Sequence, residues 1–455
     1  MIQTVVILGA SGDLTSRFLL PAIARLHQAG KLPEDFRVLG VARDDWNTEK
    51  FQSHLEQKLD SSGTADVTSL RETILEKVDY RRADVTSRDQ LTRVLGDRAD
   101  PVVVYLALPP ALFAPSIESL AALKLPTGSK VVLEKPFGES LESAQTLNRL
   151  LHESFPESDV FRLDHFLGKQ TVQNILGLRF ANRIFEPVWN THHIERVEII
   201  WDETITAAGR ASFYDATGAL CDMVQNHLLQ LLALVAMEPL HALDERTLRD
   251  RKVDVLRAVR RLTPGEVLGQ TVRGRYTRGA IRKEEILPYL QEKGVQVERE
   301  METFAQVTLS IDNWRWAGVP FVLRTGKALG RDRREIAVHF KPVPHLAIGQ
   351  AAQPMPNLLT IELDPDRIAL RVNVNEPGDL CSLEQVELDK RFPSGGLPAY
   401  ARLLLDILDG DPTLSIRDDE AEESWRIVEP IRQVWSKGGV PLIDYPAGSG
   451  GPVEI

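Results

Sequence analysis

His227 lies in Asp222-Met223-Val224-Gln225-Asn226-His227, inside an apolar stretch. An imidazole titrates near neutrality, so it can take a hydroxyl proton as a general base. A second segment, Arg162-Leu163-Asp164-His165-Phe166-Leu167-Gly168-Lys169, holds what such a base needs. Asp164 offers a carboxylate to fix the imidazole tautomer and stabilise the imidazolium. His165 and Lys169 offer two cations for an anionic substrate. A lone histidine on an apolar helix also fits an ordinary core residue, and the two segments act together only if the fold joins them.

A third segment, Gly9-Ala10-Ser11-Gly12-Asp13-Leu14-Thr15, follows the apolar run Thr4 to Leu8. Small residues between a strand and a helix let the backbone approach a pyrophosphate, and the helix start supplies N–H donors. Thr15 stands where a third glycine is often found, so the motif by itself also fits a plain strand-to-helix turn. The run Arg37 to Ala42 ends at Arg43. A carboxylate there would bind a ribose 2′-hydroxyl, whereas a guanidinium can pair with a 2′-phosphate. Arg43 therefore favours NADP, and the adjoining Asp44 and Asp45 keep use of NAD open.

These groups need a scaffold. The runs Thr4 to Leu8, Arg37 to Ala42, Val102 to Leu108 and Lys130 to Glu134 read as buried strands between helices, which gives a doubly wound parallel sheet over residues 1–165. Asp13 is expected to cap the first helix, and Pro21 to end or kink it. Over 166–455 the character changes. Arg196 to Trp201, Phe304 to Ile311, Glu335 to Phe340 and Asn357 to Leu363 alternate apolar and polar residues, as half-buried antiparallel strands do. Ala219 to Met237 reads as a helix with an apolar face, and residues 274–300 as an irregular excursion. The expected fold is thus a Rossmann-like α/β domain followed by an α+β domain with a large, mainly antiparallel sheet.

With 455 residues, two or three cores are expected. A net charge of −11 argues against a nucleic-acid partner, although a local basic pocket remains open. Cys221 and Cys381 are too few for a disulfide framework or a metal site and read as small buried residues. The chain opens directly on a strand, and no apolar run is long enough for a bilayer; a cytoplasmic protein without membrane contact is expected.

In order along the chain, these segments resemble the glucose-6-phosphate dehydrogenase family. Gly9 to Thr15 is similar to its GASGDLT turn, Tyr105 to Pro110 to its YLALPP, and Glu134 to Gly138 to its EKPFG. Arg162 to Lys169 is similar to RIDHYLGK, Ala181 to Asn190 to ANRIFEPLWN, and Asp222 to His227 to the helix carrying QNH. Asp312 to Phe321 and Arg324 to Lys327 are similar to its DNWRW and RTGK elements. The resemblance implies that His227 takes the C1 hydroxyl proton, oriented by Asp164, while C1 delivers hydride to a nicotinamide and a δ-lactone forms. It implies that Gly9, Ser11, Gly12, Asp13, Leu14 and Arg43 hold the dinucleotide. Lys135 would stand where sugar and nicotinamide meet, beside a cis Pro136. His165 and Lys169 would hold the substrate phosphate, and Glu203, Asp222 and Lys327 the sugar hydroxyls. A homodimer or homotetramer associating through the second domain's sheet is implied, and no metal is required, since the pyridinium ring accepts the electrons.

The chain departs from the family pattern around the expected anion site. Phe166 replaces the tyrosine of DHYLGK, Phe18 a lysine of the first helix, and Asp332 a basic residue beyond Lys327. Arg331 and Arg333 flank Asp332, so a one-residue shift could restore a guanidinium. Gln170 stands for the glutamate of LGKE, and the carboxyl-terminal segment has glycine where tryptophan is frequent. The same chemistry on another hexose derivative, or a non-catalytic sensor of sugar phosphate or cofactor, is the alternative these departures leave.

Overall fold

The computed structural model describes residues 1–61, 74–96, 98–346, 354–379, 382–393 and 396–452. Cys381 lies outside them. The chain forms two compact units.

The first unit contains a six-stranded sheet of β1 (Thr4–Leu8), β2 (Arg37–Ala42), β3 (Val78–Arg82), β4 (Val102–Leu106), β5 (Lys130–Glu134) and β6 (Val160–Leu163). All neighbours are parallel, in the order β3-β2-β1-β4-β5-β6. Apolar residues fill both faces: Val5, Val6, Ile7 and Leu8 are all buried, as helices on both sides of a sheet require. Because every strand runs the same way, the residues that follow β1, β2, β4, β5 and β6 emerge at one edge.

This unit is not contiguous in sequence. It comprises Met1–Lys169, Ala242–Arg249 and Gly395–Glu422, so the division at 165/166 does not describe it. The physical reason is the helix Ala399–Asp409, whose Ala401, Leu403, Leu404, Ile407 and Leu408 join the apolar cluster of Ile2, Leu19 and Ile23. The Ile2 N–H also donates to the Leu408 carbonyl at 2.8 Å. Two details of the first helix differ from expectation. Its start carries no side-chain cap, and the Asp13 carboxylate instead meets Lys58 Nζ at 3.3 Å. Pro21 does not end the helix: a π-helical turn, Thr15–Leu19, precedes it, and Pro21 falls in the first turn of the α-helix Leu20–Gln28, where its missing N–H costs little.

The second unit is built on nine strands: β7 (Ile194–Asp202), β8 (Thr271–Thr277), β11 (Phe304–Leu309), β12 (Phe321–Gly326), β13 (Arg333–Phe340), β14 (Leu358–Leu363), β15 (Asp366–Asn375), β16 (Leu383–Arg391) and β17 (Leu442–Pro446). Their order is β16-β15-β14-β13-β7-β12-β11-β8-β17. The β7/β12 and β8/β17 pairs are parallel and the rest antiparallel. Residues 274–300 are more regular than the charge and glycine content implied. They hold the end of β8 and a small hairpin of β9 (Gly279–Ile281) and β10 (Glu284–Ile286).

One helical run, Ala211–Ala236, is long and apolar enough to cross a membrane by length and composition, contrary to the sequence reading. Yet 89% of its apolar window is buried, so it serves as a core element. It is α-helical over Ala211–Ala219, π-helical over Leu220–Leu228 and α-helical over Leu229–Ala236, with a kink at Gly218 (φ +65°). Cys221, on the π segment, is half-buried rather than buried.

Candidate active site

In the first unit the chemistry-bearing residues gather at the carboxyl edge of the parallel sheet. Gly9 leaves β1 with φ +84°, and a Cβ there would lie 2.4 Å from the Ala107 carbonyl oxygen at the end of β4. Only glycine can make that turn so close to another strand. Its N–H donates to the Val41 carbonyl on β2 at 2.8 Å, and the Gly12 N–H closes the turn on the Gly9 carbonyl at 3.0 Å. Gly12 and Asp13 are exposed, while Ser11 and Leu14 are half-buried. A Cβ on Gly12 would meet only the Gly9 oxygen, at 3.3 Å, so the backbone is open to a phosphate. Arg43 is exposed at the end of β2.

Lys135 follows β5, and its bond to Pro136 is cis, as the resemblance implied. Beside it, the Glu134 carboxylate accepts a short hydrogen bond from the Tyr105 hydroxyl. Burial pushes the Glu134 carboxyl up to about 7, against the pull of that hydrogen bond and of the Lys135 charge. Asp164 follows β6, is 1% exposed, and accepts the Phe166 N–H at 2.9 Å. That bond starts the 3-10 turn His165–Gly168 and fixes where His165 stands.

His165 stacks on Tyr400, with ring centroids 5.6 Å apart and planes 9° from parallel. Phe18 packs on the other partner of this group, Tyr400, at 5.3 Å, and Phe166 meets His165 edge-on at 5.0 Å. Lys169 Nζ lies 5.8 Å from the Phe166 ring centre. The two phenylalanines that replace polar family residues thus belong to one aromatic group around His165. Tyr400 was missed from sequence because nothing local ties the helix at 399–409 to a histidine at 165.

In the second unit, Glu203 follows β7 and Lys327 follows β12; these strands are parallel neighbours with Asp202 opposite Gly326. The two side chains form a close ion pair. Asp222 and Lys327 line one cavity of about 550 Å³ together with Tyr214, Arg210 and Arg282. His227 sits on the π-helical segment and is 1% exposed. Asp332 is engaged by the loop after β7, accepting the Thr204 N–H at 3.0 Å and its hydroxyl at 3.1 Å. Of the arginines nearby, Arg333 turns to Glu335 at 3.2 Å and Glu198 at 3.8 Å. Arg334, on the opposite face of β13, reaches Glu203 at 3.9 Å and Asp332 at 3.5 Å and pairs closely with Asp364. The guanidinium nearest the Glu203–Lys327 pair is therefore Arg334, not either arginine that flanks Asp332. Strand alternation through Trp201, which pairs with Arg334, is the signal that could have found it.

Residues 6–174 match the family model described as "Glucose-6-phosphate dehydrogenase, NAD binding domain", and residues 176–455 match "Glucose-6-phosphate dehydrogenase, C-terminal domain". A glucose-6-phosphate 1-dehydrogenase of Zymomonas mobilis is 39% identical, covering 99% of this chain and 96% of its own length. One from Treponema pallidum is 40% identical, covering 98% and 91%. Among solved structures, glucose-6-phosphate 1-dehydrogenase from Mycobacterium avium is similar with a TM-score of 0.88 at 35% identity, over 99% of this chain and 95% of that one. A glucose-6-phosphate dehydrogenase in complex with its substrate glucose-6-phosphate is similar with a TM-score of 0.90 at 31% identity, over 99% and 96%. With both halves matched in order, the chain belongs to the glucose-6-phosphate dehydrogenase family.

Proposed function

We propose that this protein oxidises β-D-glucose 6-phosphate at C1 to 6-phosphoglucono-δ-lactone with NADP, the first step of the oxidative pentose phosphate pathway. The observation that carries the reading is the match of both family halves over nearly the whole chain. NADP supplies the hydride acceptor, and the glycine turn with Arg43 at the end of β2 fits a phosphorylated dinucleotide.

In this reading His227 receives the proton of the C1 hydroxyl as the C1–H bond breaks and the C1=O bond forms. Asp164 holds the imidazole in the accepting tautomer and stabilises its charged form. Lys135 adds positive charge where the sugar meets the nicotinamide. His165 and Lys169 bind the phosphate, while Glu203, Asp222 and Lys327 bind sugar hydroxyls. The ion pair of Glu203 with Lys327 supports that last role, because it presents an acceptor and donors together beside the cavity that Asp222 lines. A cytoplasmic homodimer or homotetramer, associating through the nine-stranded sheet, completes the reading.

Initial rates of nicotinamide reduction test it, measured with glucose 6-phosphate and with glucose, each with NADP and with NAD. Fast turnover confined to the phosphate ester is the expected result. Equal efficiency with free glucose would remove the phosphate role of His165 and Lys169.

A further inference from the structure

Arg43 alone does not account for binding a 2′-phosphate, because Asp44 and Asp45 follow it directly. Two carboxylates beside one guanidinium leave a net negative field where a phosphate dianion would lie. The structure brings more charge to this point than the sequence order shows. β2 and β3 are parallel neighbours, with Val41 opposite Arg81 and Ala42 opposite Arg82. Two further arginines therefore arrive at the sheet edge where Arg43 stands. Arg82 Nη1 lies 2.7 Å from Asp45 Oδ1. The turn bearing the two aspartates is itself anchored to β3: the Tyr80 hydroxyl donates to the Asp44 carbonyl at 2.9 Å. The next carboxylate along, Asp84, is occupied by the Thr86 N–H and hydroxyl at 3.0 and 2.7 Å.

We propose that Arg82 is a specificity-determining residue for the dinucleotide, acting through its ion pair with Asp45. The pair cancels one carboxylate charge and holds that carboxylate to the β3 side, so that Arg43 meets the 2′-phosphate with one carboxylate fewer opposing it. The inference rests on the NADP reading above and adds a residue to it. Its sign is specific. A carboxylate released from Arg82 repels a 2′-phosphate but accepts a hydrogen bond from a 2′-hydroxyl. Loss of Arg82 therefore weakens NADP binding and leaves NAD binding unchanged or tighter. Both side chains are more than half exposed (59% and 87%), so the pair adds little to stability and the variants should fold.

The test is equilibrium binding of NADP and NAD, by calorimetry, to the wild-type protein and to Arg82→Ala, Asp45→Asn and the double variant. Arg82→Ala is expected to weaken NADP about tenfold, the scale of one uncompensated charge near a surface phosphate. Adding Asp45→Asn should recover most of that loss, and 2′,5′-ADP should follow NADP while 5′-AMP follows NAD. An equal loss with and without Asp45 would overturn the proposal, since Arg82 would then act without the pair. An unchanged NADP-to-NAD ratio in Arg82→Ala would also overturn it. A wild-type protein that binds NAD and not NADP would instead remove the underlying cofactor reading.

Discussion

Glu302→Gln is a pointed test of how the helix carrying Asp222 and His227 is held. Glu302 is 6% exposed. Its Oε1 accepts the Leu220 N–H at 3.0 Å, and its carbonyl accepts the Ala219 N–H at 3.3 Å, so it satisfies donors at the start of the π-helical segment. The carboxylate sits in the kink itself: a Cβ on Gly218 would lie 2.3 Å from Oε1. Burial pushes this carboxyl from the ordinary 4.5 up to about 7, against the lowering effect of the Leu220 hydrogen bond. Below pH 4.5 the group is protonated in both the folded and unfolded chain and has no effect. Between 4.5 and about 7 the folded chain keeps the proton and the unfolded chain releases it, so stability falls as pH rises. Above that range the full cost is present, about 3 kcal/mol for a gap of this size. Glutamine keeps the carbonyl acceptor for Leu220 and never ionises. The stability of the variant relative to wild type should therefore rise by about 3 kcal/mol between pH 4.5 and 7.5. Glu134 titrates in the same direction, but it is present in both proteins and cancels. Denaturation midpoints of both proteins at pH 5, 6, 7 and 8 measure the difference. Parallel curves would refute the reasoning.

Three further outcomes follow from the same geometry. His227→Asn should lower turnover roughly 10²–10⁴-fold while glucose 6-phosphate still binds, as separate rate and binding measurements would show; unchanged turnover would dismiss His227 as the base. Gly9→Ala places a Cβ 2.4 Å from the Ala107 oxygen at a positive φ. It should cost about 1–3 kcal/mol in a denaturation experiment and weaken dinucleotide binding, and a variant equal to wild type in both would contradict the close approach. Arg334→Ala removes the guanidinium near Glu203 and Asp332. The KM for the sugar phosphate should rise about tenfold with kcat little changed, and an unaltered KM would show that Arg334 does not shape the site.

Much of the architecture was legible because local rules and tertiary demands agree. Thr4–Leu8, Arg37–Ala42 and Lys130–Glu134 form strands with the bounds their apolar runs implied, since a parallel strand buried on both faces has no polar alternation to obscure it. β3 was not read, because Val78-Asp79-Tyr80-Arg81-Arg82 alternates at the sheet's outer position and looks like surface chain. That omission mattered most at the cofactor edge, where Arg81 and Arg82 enter beside Arg43. β8, β12, β15, β16 and β17 were also missed, their charged residues belonging to ladders such as Arg367 with Glu362 and Asp389 that exist only once strands pair. Pro21 does not stop its helix, because a π-helical turn, Thr15–Leu19, leads into it and leaves Pro21 in the first α-helical turn, an outcome that a residue's preference for breaking helices does not distinguish from a stop.

The sequence by itself determined which chemical groups are present and the order in which they occur: a glycine turn after a strand, a lysine within Glu134-Lys135-Pro136-Phe137-Gly138, the Asp164 carboxylate with cations beside it, and a histidine on an apolar helix. Those are properties of residue type and near-neighbour spacing, which the chain carries whether or not it is folded. Only the tertiary structure decided which side chains share a charge or a ring. Arg82 meets Asp45 across two strands, Tyr400 stacks on His165 from a helix more than two hundred residues away, and Arg334 rather than its neighbours turns toward Glu203. Such partnerships are set by strand register, the side of the pleat and helix docking, and no local preference encodes them.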